Sequence, residues 1–208
     1  MKRLFFVLGI VFIVVLVGAG SYATRMMLSG FSTRTPPGSI ETAVAQGVRK
    51  AAIPARYKRM KNPVMPDQEA LREGMEHWAD HCASCHANNG SGDTMYGKGM
   101  YPRPPDMRHG HTQEISDGEL YFTIENGIRL TGMPAFGTAG DNDLDTWKLV
   151  AFIRHLNSLT QSEEMEMKAM NPKSPQEVEE EQAEESFLHG SSAPPQLSSS
   201  HHHRKESQ

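Results

Sequence analysis

The chain has 208 residues, of which 38% are apolar, and a formal net charge of -4. That length holds one ordinary domain with appendages, and an apolar share below the globular norm of about 45–50% leaves some segment poorly packed. Two cysteines, Cys82 and Cys85, exclude a disulfide framework and a four-cysteine zinc site, and the charge pattern speaks against nucleic acid as a partner. Eight Lys or Arg face one Glu between Ser21 and Pro66, whereas fourteen acids face seven bases between Asp67 and Thr160. A basic arm thus leads into an acidic domain.

In chain order, Leu4 to Gly20 is an uncharged apolar run behind Lys2 and Arg3. It is long enough for a short transmembrane helix and longer than most signal-peptide cores. Residues 1–23 are therefore read as an anchor, with a signal cleaved near Ser21, Tyr22 and Ala23 as the alternative. Lys2 and Arg3 favour a cytoplasmic N-terminus, which puts the remainder on the periplasmic side of the inner membrane. Residues 24–66, with Gly30, Pro36, Pro37, Gly38, Pro54, Pro63 and Pro66 among scattered bases, read as a linker. Those bases either sit on anionic headgroups or stay solvated.

Residues 67–160 read as the domain. Asp67 is placed to cap a helix running to about His81, with Ala70, Leu71, Met75, Trp78 and Ala79 at helical spacing. Ser116 and Glu119 form a capping box for a second helix ending near Gly127. A third starts around Asp143 and carries Leu144, Trp147, Val150, Ala151 and Ile153. The Gly- and Pro-rich stretch from Ala87 to Ile115 shows no strand alternation. The expectation is an all-α fold of three main helices with long loops. Residues 161–208, rich in Glu, then Ser and Pro, with His201, His202 and His203 near the end, are expected to be disordered.

Cys82, Ala83, Ser84, Cys85 and His86 have the C-x-x-C-H spacing of c-type haem attachment. On a helical turn, cysteines three apart reach the two vinyl groups of one porphyrin, and the next residue supplies the proximal nitrogen. A thioredoxin-type pair would want a preceding strand, and a zinc site a second ligand pair. The second axial ligand is assigned to Met133, in the run Gly132 to Phe136: its neutral, soft sulfur favours reduced iron. Met100 is the next candidate, with His109 or His111 for a bis-His iron, while Met95 and Met107 also lie on the long loop. His77, His81 and His155 read as surface or packing residues.

With these residues in place, the stretch 67–160 resembles the class I cytochromes c, within them the bacterial membrane-anchored single-haem members. Gly74 and Trp78 stand where that family places a Gly and an aromatic before the haem motif, and Leu149 and Phe152 match its C-terminal apolar and aromatic pair. The small Gly lets the two terminal helices cross closely. Pro102, Pro104 and Pro105 resemble the loop whose backbone carbonyl accepts the Nδ1 hydrogen of the haem His, and Gly132 to Phe136 resembles the distal loop. The resemblance implies one covalent haem c and no bond chemistry by the protein itself.

The expected role is one-electron transfer between membrane respiratory complexes, with redox proteins as partners. A haem subunit fixed inside a larger membrane oxidoreductase is the alternative. A ligand-binding sensor or peroxidase with an open iron position is a third reading.

Overall fold

In the computed structural model, residues 2–30, 32–137, 143–173 and 175–188 are described. The described chain is helical, with no strand among these residues. It divides into two units, Met1–Met170 and Asn171–Gln208. In the first, α1 (Lys2–Leu28) is a 27-residue helix with no buried residue. There follow α2 (Ser39–Ala52), α3 (Ala55–Lys58), α4 (Gln68–His77), a π-helical turn (Trp78–Cys82), α5 (Ala83–His86), α6 (Met95–Gly99), α7 (His111–Glu114), α8 (Asp117–Asn126), α9 (Leu144–His155) and α10 (Gln161–Met170). The second unit contains α11 (Pro175–Leu188). The expected His201–His203 run lies outside the described residues.

The three main helices start where side chains satisfy the otherwise unpaired amides of a first turn. Asp67 accepts from Ala70 N–H at 2.9 Å, Asp143 accepts from Asp145 N–H at 2.9 Å, and Ser116 and Glu119 close a reciprocal capping box. Helices α4 and α9 form the main packing pair of the molecule. Their crossing is tight at Gly74, where a Cβ would lie 2.4 Å from the Lys148 carbonyl oxygen. An ion pair from Lys148 to Glu73 flanks it.

The core beneath this crossing holds Trp78, Tyr121, Trp147, Val150, Phe152 and Ile153, all fully or almost fully buried. Each large side chain removed from water contributes about 1.5–3 kcal/mol. Tyr121 and Trp147 stack with centroids 4.2 Å apart, joining α8 to α9. Leu149 and Phe152 are both buried, the positions the family resemblance marks on the last helix.

Two boundaries differ from the sequence reading. The stretch expected to be a linker joins the core from its C-terminal half: Ile53 and Tyr57 are buried, the Tyr57 ring lies 4.8 Å from Phe122, and Asn62 Nδ2 donates to the Trp147 carbonyl at 2.8 Å. Gly118 makes this fit, since a Cβ there would stand 1.9 Å from the Tyr57 carbonyl oxygen. At the other end, the domain continues past Thr160. Helix α10 starts with a second reciprocal cap between Thr160 and Glu163, buries Met167 completely, and packs on α4 and the π turn. His155, read from the sequence as a surface or packing residue, is half-buried and bonds Glu163 through Nε2 at 2.8 Å.

Candidate haem site

Helix α4 does not run evenly into the cysteine motif. Through Trp78–Cys82 the turn widens, and the Ala83 amide donates to the Trp78 carbonyl five residues back. Single π turns inside α-helices occur often at functional sites, because they re-aim the side chains that follow. Here those are Cys82, Cys85 and His86. The helix stops at once after His86: Ala87 has φ 64° and ψ 155°, backbone that favours glycine. Trp78 secures that stop by donating from Nε1 to the carbonyls of Ala87 and Asn88 at 3.1 and 3.2 Å.

The carbonyls at the motif's end are then taken up by the following loop. Gly92 N–H donates to the His86 carbonyl at 2.8 Å, and the Thr94 hydroxyl donates to the Cys85 carbonyl at 3.2 Å. Thr94 also accepts from Gly97 N–H at 2.8 Å. Thr94 thus braces the motif, a role with no signature in the sequence. The long loop is pinned in turn to α9, where Arg154 donates to Asp117 and to the carbonyls of Thr112 and Ile115.

Electrostatics distinguishes among the readings of the motif. Both cysteines are free thiols, and burial, aided by Cys85, pushes the Cys82 thiol up to about 12. A redox-active cysteine needs the opposite shift, toward thiolate. Among the described residues there is also no group of three or more His, Cys, Asp or Glu placed to hold a metal ion. Burial lowers His86 to about 4, so its imidazole is neutral near pH 7 and offers a lone pair. Its Nδ1 is buried without a hydrogen-bond partner, a cost of about 1–3 kcal/mol for a purely structural residue. A buried, neutral Cys82 thiol, a second thiol at Cys85 and an imidazole with unspent hydrogen-bonding capacity fit covalent haem attachment.

The Nδ1 hydrogen bond implied for the proline loop is not formed. The Pro104 carbonyl oxygen instead faces Gly92, 2.6 Å from where a Cβ would stand there. Gly92 has φ +71°, and its missing side chain lets the loop fold onto itself at that point.

Opposite ends of the chain segment meet around this motif. Met133 lies half-buried in the loop after α8 and packs against the same core as Cys82. The loop is zipped to the end of α8: Ile128 N–H donates to the Met133 carbonyl at 3.1 Å and Phe136 N–H to the Ile124 carbonyl at 3.0 Å. Gly127, at φ +64°, permits the reversal, with a virtual Cβ 2.8 Å from the Met133 carbonyl oxygen. The Phe136 ring reaches His81, the residue before Cys82, with centroids 6.4 Å apart.

Of the rival ligands, Met107 is core filler and Met95 is exposed. His109 and His111 are exposed as well. Met100 comes closest to the distal loop, its sulfur 2.9 Å from the position of a Cβ on Gly132.

Residues 69–153 match the family model described as Cytochrome C oxidase, cbb3-type, subunit III. The chain carries a c-type cytochrome domain. No curated protein matches the chain. A c-type cytochrome domain is a haem-based electron-transfer module, which agrees with the donor chemistry of Cys82, Cys85 and His86. Ahead of the cytochrome domain, α1 is long and apolar enough to cross a membrane.

Proposed function

We propose that this protein is a membrane-tethered one-electron carrier that moves electrons between respiratory complexes. One haem c is held by thioethers to Cys82 and Cys85, with its iron between a nitrogen of His86 and the sulfur of Met133. Bound there, the haem supplies the reversible ferric–ferrous couple. The polypeptide supplies a fixed nitrogen ligand on a helix end, a soft sulfur that raises the potential, and a core that keeps water from both. With His86 and Met133 both committed to the iron, no substrate would gain access to it, and electron transfer would be the chemistry left to the protein.

The observation that carries this reading is the contact of Phe136 with His81, which brings the Met133 loop to the helix end bearing the two thiols and the imidazole. On this reading α1 anchors the chain in the inner membrane with the cytochrome domain on the periplasmic side. Intact mass and a pyridine haemochrome spectrum of the exported, matured protein test it. One added haem is expected, and a mass equal to the bare polypeptide would overturn the reading.

A second reading has one specific support, the matched family's description as an oxidase subunit. In that case the domain serves as a permanently bound haem subunit of a larger oxidoreductase. Extraction in mild detergent separates the two, since a carrier emerges alone and a subunit with companions.

A further inference from the structure

Helix α2 is amphipathic in the reverse sense for a helix lying on a protein. Its half-buried residues are polar: Glu41, Thr42 and Arg49. Its apolar residues point away, with Ile40, Val44 and Val48 at 80%, 60% and 64% exposure. Spacings of four residues put these three on one stripe. A soluble surface helix turns such a stripe inward.

Two observations indicate what covers the stripe. The first is position. From Leu4 to Tyr22, α1 climbs roughly 27 Å at 1.5 Å per residue, close to the roughly 30 Å thickness of a bilayer's hydrocarbon core. Tyr22 therefore reaches the headgroup level, where tyrosines concentrate. The Tyr22 hydroxyl donates to Glu41 Oε2 at 3.1 Å, so the first turn of α2 stands at the same level. The second is charge. Arg25 in the last turn of α1 and the exposed Arg34 and Lys50 before and on α2 supply bases, while Glu41, the sole acid of this arm, is occupied by Tyr22 and Tyr101. Bases flanking an apolar stripe at headgroup depth suit an anionic lipid surface.

We infer that α2 lies in the plane of the membrane that α1 crosses, with Ile40, Val44 and Val48 in the acyl boundary and the adjacent bases among anionic headgroups. This rests on the reading of α1 as a retained span. The arm is then a two-point membrane mount, and the Tyr101–Glu41 contact fixes the cytochrome domain at one tilt above the bilayer.

The test uses the full chain in nanodiscs of mixed phosphatidylglycerol and phosphatidylcholine, one chain per disc. Single cysteines added at Ile40, Val44, Val48 and Gln46 are reacted with a membrane-impermeant maleimide, the unsubstituted chain giving the background. A diazirine phospholipid reports lipid contact by mass spectrometry. Many-fold slower labelling at Ile40→Cys, Val44→Cys and Val48→Cys than at Gln46→Cys, with lipid adducts on that stripe, is the expected result. Equal, fast labelling at all four overturns the proposal, and so does protection of the stripe without lipid adducts, which would indicate a protein cover. Val11→Cys serves as the control for α1: its free reaction with the reagent would instead overturn the span reading, independently of α2.

Discussion

The Cβ that Gly74 lacks would stand 2.4 Å from the carbonyl oxygen of Lys148 and 2.9 Å from the Cβ of Phe152. Both atoms belong to the backbone of α9 or to its first side-chain carbon, so the neighbour cannot swing aside. Gly74→Ala is expected to push α4 from α9 and to cost about 1–3 kcal/mol, the usual range for overpacking. Denaturant unfolding measures it as a lower midpoint, and an unchanged midpoint would mean that the crossing is looser than described.

The two sulfurs near the distal loop make distinguishable predictions. Met133→Ala is expected to lower the reduction potential by on the order of a tenth of a volt or more, within the roughly 0.8 V span that axial ligands command, and to abolish the sulfur-to-iron absorption band. On the Met133 reading, Met100→Ala should keep the band. A redox titration and a visible spectrum of both variants decide the matter, and the reverse pattern would transfer the ligand to Met100.

Ala87 holds backbone angles that suit glycine, φ 64° and ψ 155°. Such a conformation costs about 1–3 kcal/mol in a residue with a Cβ. Ala87→Gly is expected to recover about 1 kcal/mol of it, after the entropy glycine adds to the unfolded chain. Thermal unfolding should show a higher midpoint, whereas a lower one would argue against the described helix stop.

Tyr101 donates its hydroxyl to Glu41. This bond to a carboxylate, with small contributions from burial and charge, raises the phenol from 10.0 to about 12. Unfolded, Tyr101 loses its proton near 10, while folded it holds the proton to about 12. The stabilisation is thus present below pH 10 and disappears as pH climbs through 12. Carbon-13 NMR titration of the tyrosine ring should find one resonance with a midpoint near that value, and Glu41→Ala should bring it back toward 10. A resonance already titrating at 10 in the unaltered chain would remove this contact.

What the sequence disclosed follows the range of each interaction. Asp67, Ser116 with Glu119, and Asp143 act within one helical turn, so the starts of the three main helices were legible. Gly74 was legible through family resemblance. The π turn was not, because the widened register at Trp78 leaves the apolar spacing of Ala70, Met75 and Ala79 unchanged. Ile53 and Tyr57 looked like linker because Pro54 stands between them and the core they join is far along the chain, Tyr57 meeting Tyr121 and Phe122. Helix α10 did carry a local signal, Thr160 three residues before Glu163, hidden in a Glu-rich composition that argues for disorder. For the site, the residue types and spacing of Cys82, Cys85 and His86 sufficed to suggest the chemistry, whereas the bracing by Thr94 and the meeting of Phe136 with His81 required three dimensions.

The burial of Tyr57 against α8 bears on how the protein can be divided. A soluble fragment started at Asp67, where the capped helix invites a cut, would strip the aromatic lid from Tyr121 and Phe122 and leave both rings wetted. A fragment that begins upstream of Ile53 keeps this aromatic cover on the electron-transfer module.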